Sequence, residues 1–238
     1  MILFNDIIFR KYKRKDVIKK NLDSTTFSID KQFTAHKWLA ESLQKRMIFF
    51  YIYGDILKKN IKKKKILDVG GGYSALTRLI LKNHCYTLLD IMAHDDHGLL
   101  KKLQKDIRKE FWVNKDWYRF MPKEKYDIVI ANDLFPNVDQ RIEEFIEKFL
   151  PYTLEIRISL TYYNTPKFYK VKRIDEDEIF FIVPWNGEQT KNVISRYKSL
   201  IRNYNASLFS KNVKSIFPNN RIVSLIIIRA KLHDSIDL

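Results

Sequence analysis

Seven consecutive residues, Asp68-Val69-Gly70-Gly71-Gly72-Tyr73-Ser74, follow one apolar run and open another. Glycines let a backbone turn sharply and approach a ligand, and a helix start just beyond them favours polar or negative groups. The spacing lacks the G-x-G-x-x-G of a dinucleotide loop, and no Gly-Lys-Ser/Thr follows as it would in a P-loop. Asp90 closes the next apolar run, 22 residues beyond Asp68. At that separation α/β folds place an acid on ribose hydroxyls. A helix N-cap is the structural alternative for Asp90.

Further along, Asp116-Trp117 follows a short apolar stretch, and Asn132-Asp133 follows a longer one. His94-Asp95-Asp96-His97 has metal-binding residue types, but adjacent ligands rarely converge on one ion, and Asp95 or Asp96 makes a good N-cap. The expectation is therefore no metal. No serine stands in a nucleophile elbow, so hydrolase chemistry finds no support.

These residues need elements to hold them. Strands are expected over 66–69, 86–90, 111–113, 126–131 and 153–162, alternating with helices over 74–81, 99–107 and 138–150. Apolar strands alternating with helices imply a parallel sheet covered on both faces. A long amphipathic helix is expected over 30–57, broken near Gly54, with Leu39, Leu43, Met47 and Phe50 on one face and His36 and Lys45 off it. Residues 167–174 and 178–185 alternate about the acidic turn Asp175-Glu176-Asp177, which reads as a hairpin. A helix over 188–201 and a closing strand over 221–229 complete the chain. The division expected is an N-terminal helical extension or lid over 1–60 and one α/β domain over 61–238, with the hairpin inserted at about 165–186.

The ordered set Asp68/Gly70/Gly72, Asp90, Asp116/Trp117 and Asn132/Asp133 resembles the motifs of class I S-adenosylmethionine-dependent methyltransferases. Ser74 stands where that family has its third glycine, and Phe149-Leu150-Pro151-Tyr152 replaces its usual Leu-x-Pro-Gly-Gly turn. The resemblance implies a Rossmann-like, mostly parallel seven-stranded sheet with helices on both faces, ending in an antiparallel strand. It implies S-adenosyl-L-methionine as cofactor, bound by Asp68, Gly70 and Gly72 of the glycine loop and by Asp90 on both ribose hydroxyls. Asp116 would meet the adenine amino group and Trp117 would stack on the base, a core tryptophan beside a solvated aspartate being the equal alternative. Asn132 or Asp133 would face the methyl donor. Direct displacement from a sulfonium needs alignment, water exclusion and removal of any proton from the acceptor. Asp133 and His36 are the candidate bases; an ordinary surface histidine is the alternative for His36. Asn/Asp-Pro-Pro-Tyr/Phe, the signature of one class of nucleic-acid amino-methyltransferases, is missing at 132–135. That absence, with Tyr162, Tyr163, Trp185 and Asn186 as polar-aromatic surroundings, favours O-methylation of a small molecule or sugar.

Composition bounds the alternatives. The net charge is +16 and Arg10, Lys11, Lys13, Arg14, Lys15, Lys19 and Lys20 cluster near the start, which keeps an RNA methyltransferase open. A catalytically silent methyltransferase-like binding module is the third reading. Six lysines fall within 58–65, ahead of the first long strand and so at the pole where α/β sheets do not bind ligands. The single cysteine, Cys85, permits no internal disulfide and is expected to be buried. Apolar runs are too short to span a bilayer, and the first residues carry charge after apolar residues, the reverse of a secretory signal. A soluble cytoplasmic protein is the expectation, with no statement on oligomeric state.

Overall fold

The computed structural model describes residues 1–58, 60–165, 168–172, 179–210 and 213–230. Strand β1 (Ile2–Leu3) leads into four helices, α1 (Asp6–Lys13), α2 (Val17–Thr25), α3 (Thr34–Glu41) and α4 (Leu43–Tyr53). The alternation that follows is β2 (Lys65–Val69), α5 (Ala75–Asn83), β3 (Cys85–Leu89), α6 (His97–Ile107), β4 (Trp112–Val113), β5 (Tyr126–Phe135), α7 (Ile142–Phe149) and β6 (Thr153–Tyr162). Next come β7 (Tyr169–Lys172), β8 (Ile179–Ile182), α8 (Gly187–Ile194) and β9 (Ile222–Arg229).

Seven strands form one sheet in the order β1-β9-β6-β5-β2-β3-β4. Strands β2 to β6 pair in parallel, while β9 lies antiparallel between β6 and β1. The expected mostly parallel seven-stranded sheet with an antiparallel closing strand is therefore present. The outermost strand on one side is the chain's own Ile2–Leu3, so the first residues enter the main sheet. Strands β7 and β8 pair antiparallel as a separate two-stranded sheet. The acidic turn expected between them, Asp175-Glu176-Asp177, lies outside the described residues.

Period-two burial explains how the sheet is sandwiched. Ile66, Ile128, Ile130, Val223 and Leu225 face the core built with α2, α4, α5 and α6. Leu67, Val69, Val129, Ile156, Ile158 and Ile226 face the other core, against α7 and α8. Strand β6 departs from this pattern on its first face, where Glu155, Arg157, Ser159 and Thr161 replace apolar residues. Ser159 and Thr161 are nonetheless buried.

The helix expected over 30–57 is two helices with a short 3-10 turn before them. The break falls at Ser42, whose side chain caps α4 by accepting from the Lys45 amide. Arg46 then reaches back to the Leu39 and Ala40 carbonyls at the end of α3, 2.8 Å each, and pairs with Asp16. A cation on free C-terminal carbonyls satisfies the groups a helix end leaves unpaired. Helix α7 starts later than expected because 136–141 form a turn in which Asp139 accepts from Arg141. Cys85 is exposed rather than buried, being the first residue of β3 at the pole away from the glycine loop.

Candidate active site

Strand order reverses between β2 and β5: β3 and β4 lie to one side and β6 to the other. A crevice opens at the carboxyl ends of strands at such a switch point. Here it is a cavity of about 370 Å³ bordered by the glycine loop, Asp90, Asn132, Asp133 and the helices α3 and α4. That volume lies within the range of roughly 300–1,000 Å³ typical of small-molecule sites.

The glycine loop is built around Asp68, which is buried and accepts hydrogen bonds from the Tyr53 and Tyr86 hydroxyls at 3.0 and 2.7 Å. Burial raises its carboxyl to about 7, against the opposing pull of those two hydroxyls. A Cβ on Gly71 would lie 2.5 Å from the Asp68 carboxylate, so only glycine allows the loop to fold over that acid. Gly70 and Gly72 hold φ of +67° and +64°, where an L side chain is strained.

Asp90 fixes the other side of the loop. Its Oδ2 accepts from the Gly72 amide at 3.0 Å and its Oδ1 from the Met92 amide at 2.8 Å. Burial raises its pKa, and the two amide bonds counteract the rise. A carboxylate has about four lone-pair sites. One on each oxygen is spent on backbone, which leaves one on each for a pair of vicinal hydroxyls.

Thr34, Ala35, Trp38 and Leu39 of α3 wall the cavity on the glycine-loop side, and the turn before them is fastened to α5. Asp30, fully buried, accepts from the Tyr73 hydroxyl at 2.8 Å and pairs with Arg78. The Thr34 amide donates to Asp95, and Ala35 lies so close that a Cβ on Gly72 would meet its Cβ at 2.6 Å. His36 is buried, and its Nδ1 accepts from the Ala75 amide at the start of α5. Burial lowers its pKa, which favours the neutral ring that this bond requires. His36 is thus neither a surface histidine nor a cavity-lining one: it fastens α3 to α5.

At the opposite end, the register of β5 against β6 shifts between Ala131 and Phe135, and Asp133 sits at φ +61°. Such bulges re-aim side chains beside functional sites. Ser159 donates to Asn132 Oδ1 at 2.9 Å and accepts from the Asp133 amide at 2.7 Å. The Asp133 carboxylate accepts from Thr161 at 3.2 Å and from Arg221 at 3.2 Å, with Lys45 Nζ 3.8 Å away. The Asp133 carboxylate thus anchors a hydroxyl, a guanidinium and an ammonium at this end of the cavity. Tyr53, Tyr86, Lys45, Ser159, Thr161 and Arg221 were not singled out by motif. The polar alternation Glu155-Arg157-Ser159-Thr161 inside an apolar strand was the signal for two of them.

Some expected site residues lie elsewhere. Neither Asp116 nor Trp117 lines the cavity. Trp117 is buried in the core against Phe135 and Phe145, ring centroids 5.8 and 5.4 Å away, and its indole donates to Asp139. Asp116 caps the short 3-10 turn over 117–119. Tyr162, Tyr163, Trp185 and Asn186 are likewise absent from the lining: the Tyr162 hydroxyl donates to the Leu208 carbonyl and Asn186 caps α8. In the loop after β3, Asp96 caps α6, Asp95 holds the Thr34 amide, and His97 faces the Ile91 and Met92 carbonyls.

No family model matches the sequence, and no curated protein matches it. Among solved structures, the fold is similar to a S-adenosylmethionine-dependent methyltransferase from Clostridium acetobutylicum, at 11% identity over 92% of this chain and 98% of that one (TM-score 0.48). It is similar to the N-methyltransferase NodS from Bradyrhizobium japonicum, at 10% identity over 80% of this chain and 98% of the other (TM-score 0.47). A third is coclaurine N-methyltransferase bound to N-methylheliamine and SAH, at 12% identity over 96% and 84% of the two chains (TM-score 0.49). All three scores fall below 0.5, and none of these likenesses bears on the chemistry of this cavity.

Proposed function

We propose that this chain is a S-adenosyl-L-methionine-dependent methyltransferase acting on oxygen of a small-molecule acceptor. The observation that carries the reading is the meeting, in one cavity at the strand-order switch, of a glycine loop and Asp90 with one lone pair left on each oxygen. Asp90 is read as the ribose ligand, the Gly70–Gly72 backbone with Asp68 as the methionyl cradle, and Asn132 as the residue beside the transferable methyl. The residues present fit that group: the loop tolerates no added Cβ over Asp68, and Ile91 and Met92 offer apolar surface beside Asp90.

When bound, the donor supplies an activated sulfonium methyl. The protein's own part is alignment and exclusion of water, for which α3, tied down by Thr34 and His36, serves as one wall. Of the two candidate bases, His36 is engaged by the Ala75 amide outside the cavity lining, whereas Asp133 borders the cavity with its carboxylate on Arg221 and Lys45 and is the one retained in this reading. Residues 1–60 are read as a lid and sheet edge on the domain formed by 61–238, with β7 and β8 as an insertion. The RNA reading rests on exposed basic residues of α1 and α2 and is the second choice, because they are absent from the cavity lining.

Calorimetric titration with S-adenosylmethionine and S-adenosylhomocysteine tests the reading, with saturable binding expected. Asp90→Ala weakens that binding by about 1–3 kcal/mol, the value of hydrogen bonds to a charged group. Unchanged affinity in a folded variant removes Asp90 from the ribose, and no binding by the native protein removes the donor altogether.

A further inference from the structure

The end of the cavity away from Asp90 holds more cationic donors than the protein itself uses. Lys45 reaches it from the first turn of α4 and Arg221 from the residue before β9. Among the described residues their one carboxylate partner there is Asp133, so one positive charge is left over. Among the described residues, the Lys45 ammonium makes no hydrogen bond. Its contacts are the 3.8 Å ion pair to Asp133 and the face of Trp38, 3.7 Å from the ring centroid. The Lys45 side chain is only 25% exposed and that of Arg221 only 12%. Arg221 lies over the Phe217 ring, 4.1 Å from its centroid, and its buried Nε has no hydrogen-bond partner among the described residues.

Stability does not account for this arrangement. A lysine in the first turn of a helix opposes the macrodipole, which favours negative charge there. Burial and Arg221 both work against the charged form of Lys45, and its pKa is lowered. An ammonium has three donors, and among the described residues no protein acceptor takes any of those of Lys45. An oxyanion seated between Lys45 and the α4 N-terminus would balance the surplus positive charge and give the ammonium an acceptor.

We propose that Lys45, supported by Arg221, is the subsite for an oxyanionic group, carboxylate or phosphoryl, on the methyl acceptor. This rests on the methyl-transfer reading of the same cavity. Asp133 is the positioning residue of the subsite: it holds the Arg221 guanidinium and sets the net charge at one positive. Trp38 and Val138, 47% and 62% exposed at the cavity border, give the remainder of the acceptor an apolar surface. The acceptor class is therefore an acid with an apolar or aromatic body, as distinct from a neutral sugar.

The test is calorimetric titration of the protein saturated with S-adenosylhomocysteine, using benzoate, phenyl phosphate and uncharged benzyl alcohol. Saturable binding of at least one anion is expected, tenfold or more tighter than benzyl alcohol, and the tighter anion identifies the group. Lys45→Met is expected to weaken that anion at least tenfold while S-adenosylhomocysteine affinity stays within twofold, and Lys45→Arg to restore most of the loss. Equal binding of benzyl alcohol and the anions overturns the proposal. So does a parallel loss of S-adenosylhomocysteine in Lys45→Met, which assigns the lysine to the donor's own carboxylate. If the native protein fails to bind S-adenosylhomocysteine, the donor reading falls, and the same anion series on the protein alone still decides whether the subsite exists.

Discussion

Two charged clusters flank the same polar ladder on β6, and they differ in how completely their donors are used. In the first, Arg157 donates Nε to Glu155 at 2.7 Å, Nη1 to Asp55 at 2.6 Å and to the Ile52 carbonyl, and Nη2 to Asp55 at 2.8 Å. Every nitrogen of that guanidinium has a protein partner. In the second, Arg221 engages Asp133 through Nη1 alone, its Nε has no partner, and Lys45 makes no hydrogen bond among the described residues. A closed network holds the fold together; an open one beside a cavity has capacity for a ligand. The first locks α4 to the sheet, and the second faces the cavity.

The largest effect separating the clusters is on stability. Arg157→Ala removes a buried guanidinium that ties Glu155, Asp55 and the Ile52 carbonyl together, leaving Glu155 with Arg229 and Asp55 with Lys64, and is expected to cost about 2 kcal/mol in urea unfolding, the scale of lost hydrogen bonds to charged groups. A loss under about 1 kcal/mol would put the two clusters on equal footing and end the contrast. Next is a pH effect at Asp68, in the same transverse row of the sheet as Arg157 through Ile130. Its folded pKa of about 7 exceeds the unfolded 3.8, so the folded state holds a proton the unfolded state has released. Stability from this group is fully present below about pH 4 and is lost as pH rises to about 7. The difference between native and Asp68→Asn unfolding free energies should carry that slope, and a flat difference curve would place the carboxylate in a wetter setting. The smallest stability effect belongs to the open cluster. Lys45→Met should stay within about 1 kcal/mol of the native protein, since removing a poorly satisfied cation also removes its desolvation cost. A loss near that of Arg157→Ala would make Lys45 structural.

Much of the sheet could be read ahead of the coordinates, because buried parallel strands announce themselves as short apolar runs and the glycine loop has few other uses. Asp68, Gly70, Gly72, Asp90, Asn132 and Asp133 all border one cavity as local motifs implied. What escaped was non-local. Lys45 and Arg221 are distant in sequence from Asp133 and meet only through the fold, and on a helical wheel Lys45 looks solvated. Trp117 illustrates a different limit: one tryptophan beside an aspartate reads equally as a base-stacking platform or as core, and Phe135 and Phe145 decide for core. His36 escaped because an amide acceptor on a neighbouring helix start leaves no trace in residue spacing.

The strand at Ile2–Leu3 has a consequence for how the molecule is made. Its pairing partners are Leu225 and Ser224, so the strand hydrogen-bonds with one that is synthesised long after it. During vectorial synthesis at roughly 5–20 residues per second, Ile2 and Leu3 wait more than ten seconds for a partner. Strand β6 also remains an open edge until β9 emerges to cover it. Closure of the sheet is then a contact of long sequence separation, the kind that slows folding. The two-residue length of β1 keeps that waiting strand too short to template pairing with other chains.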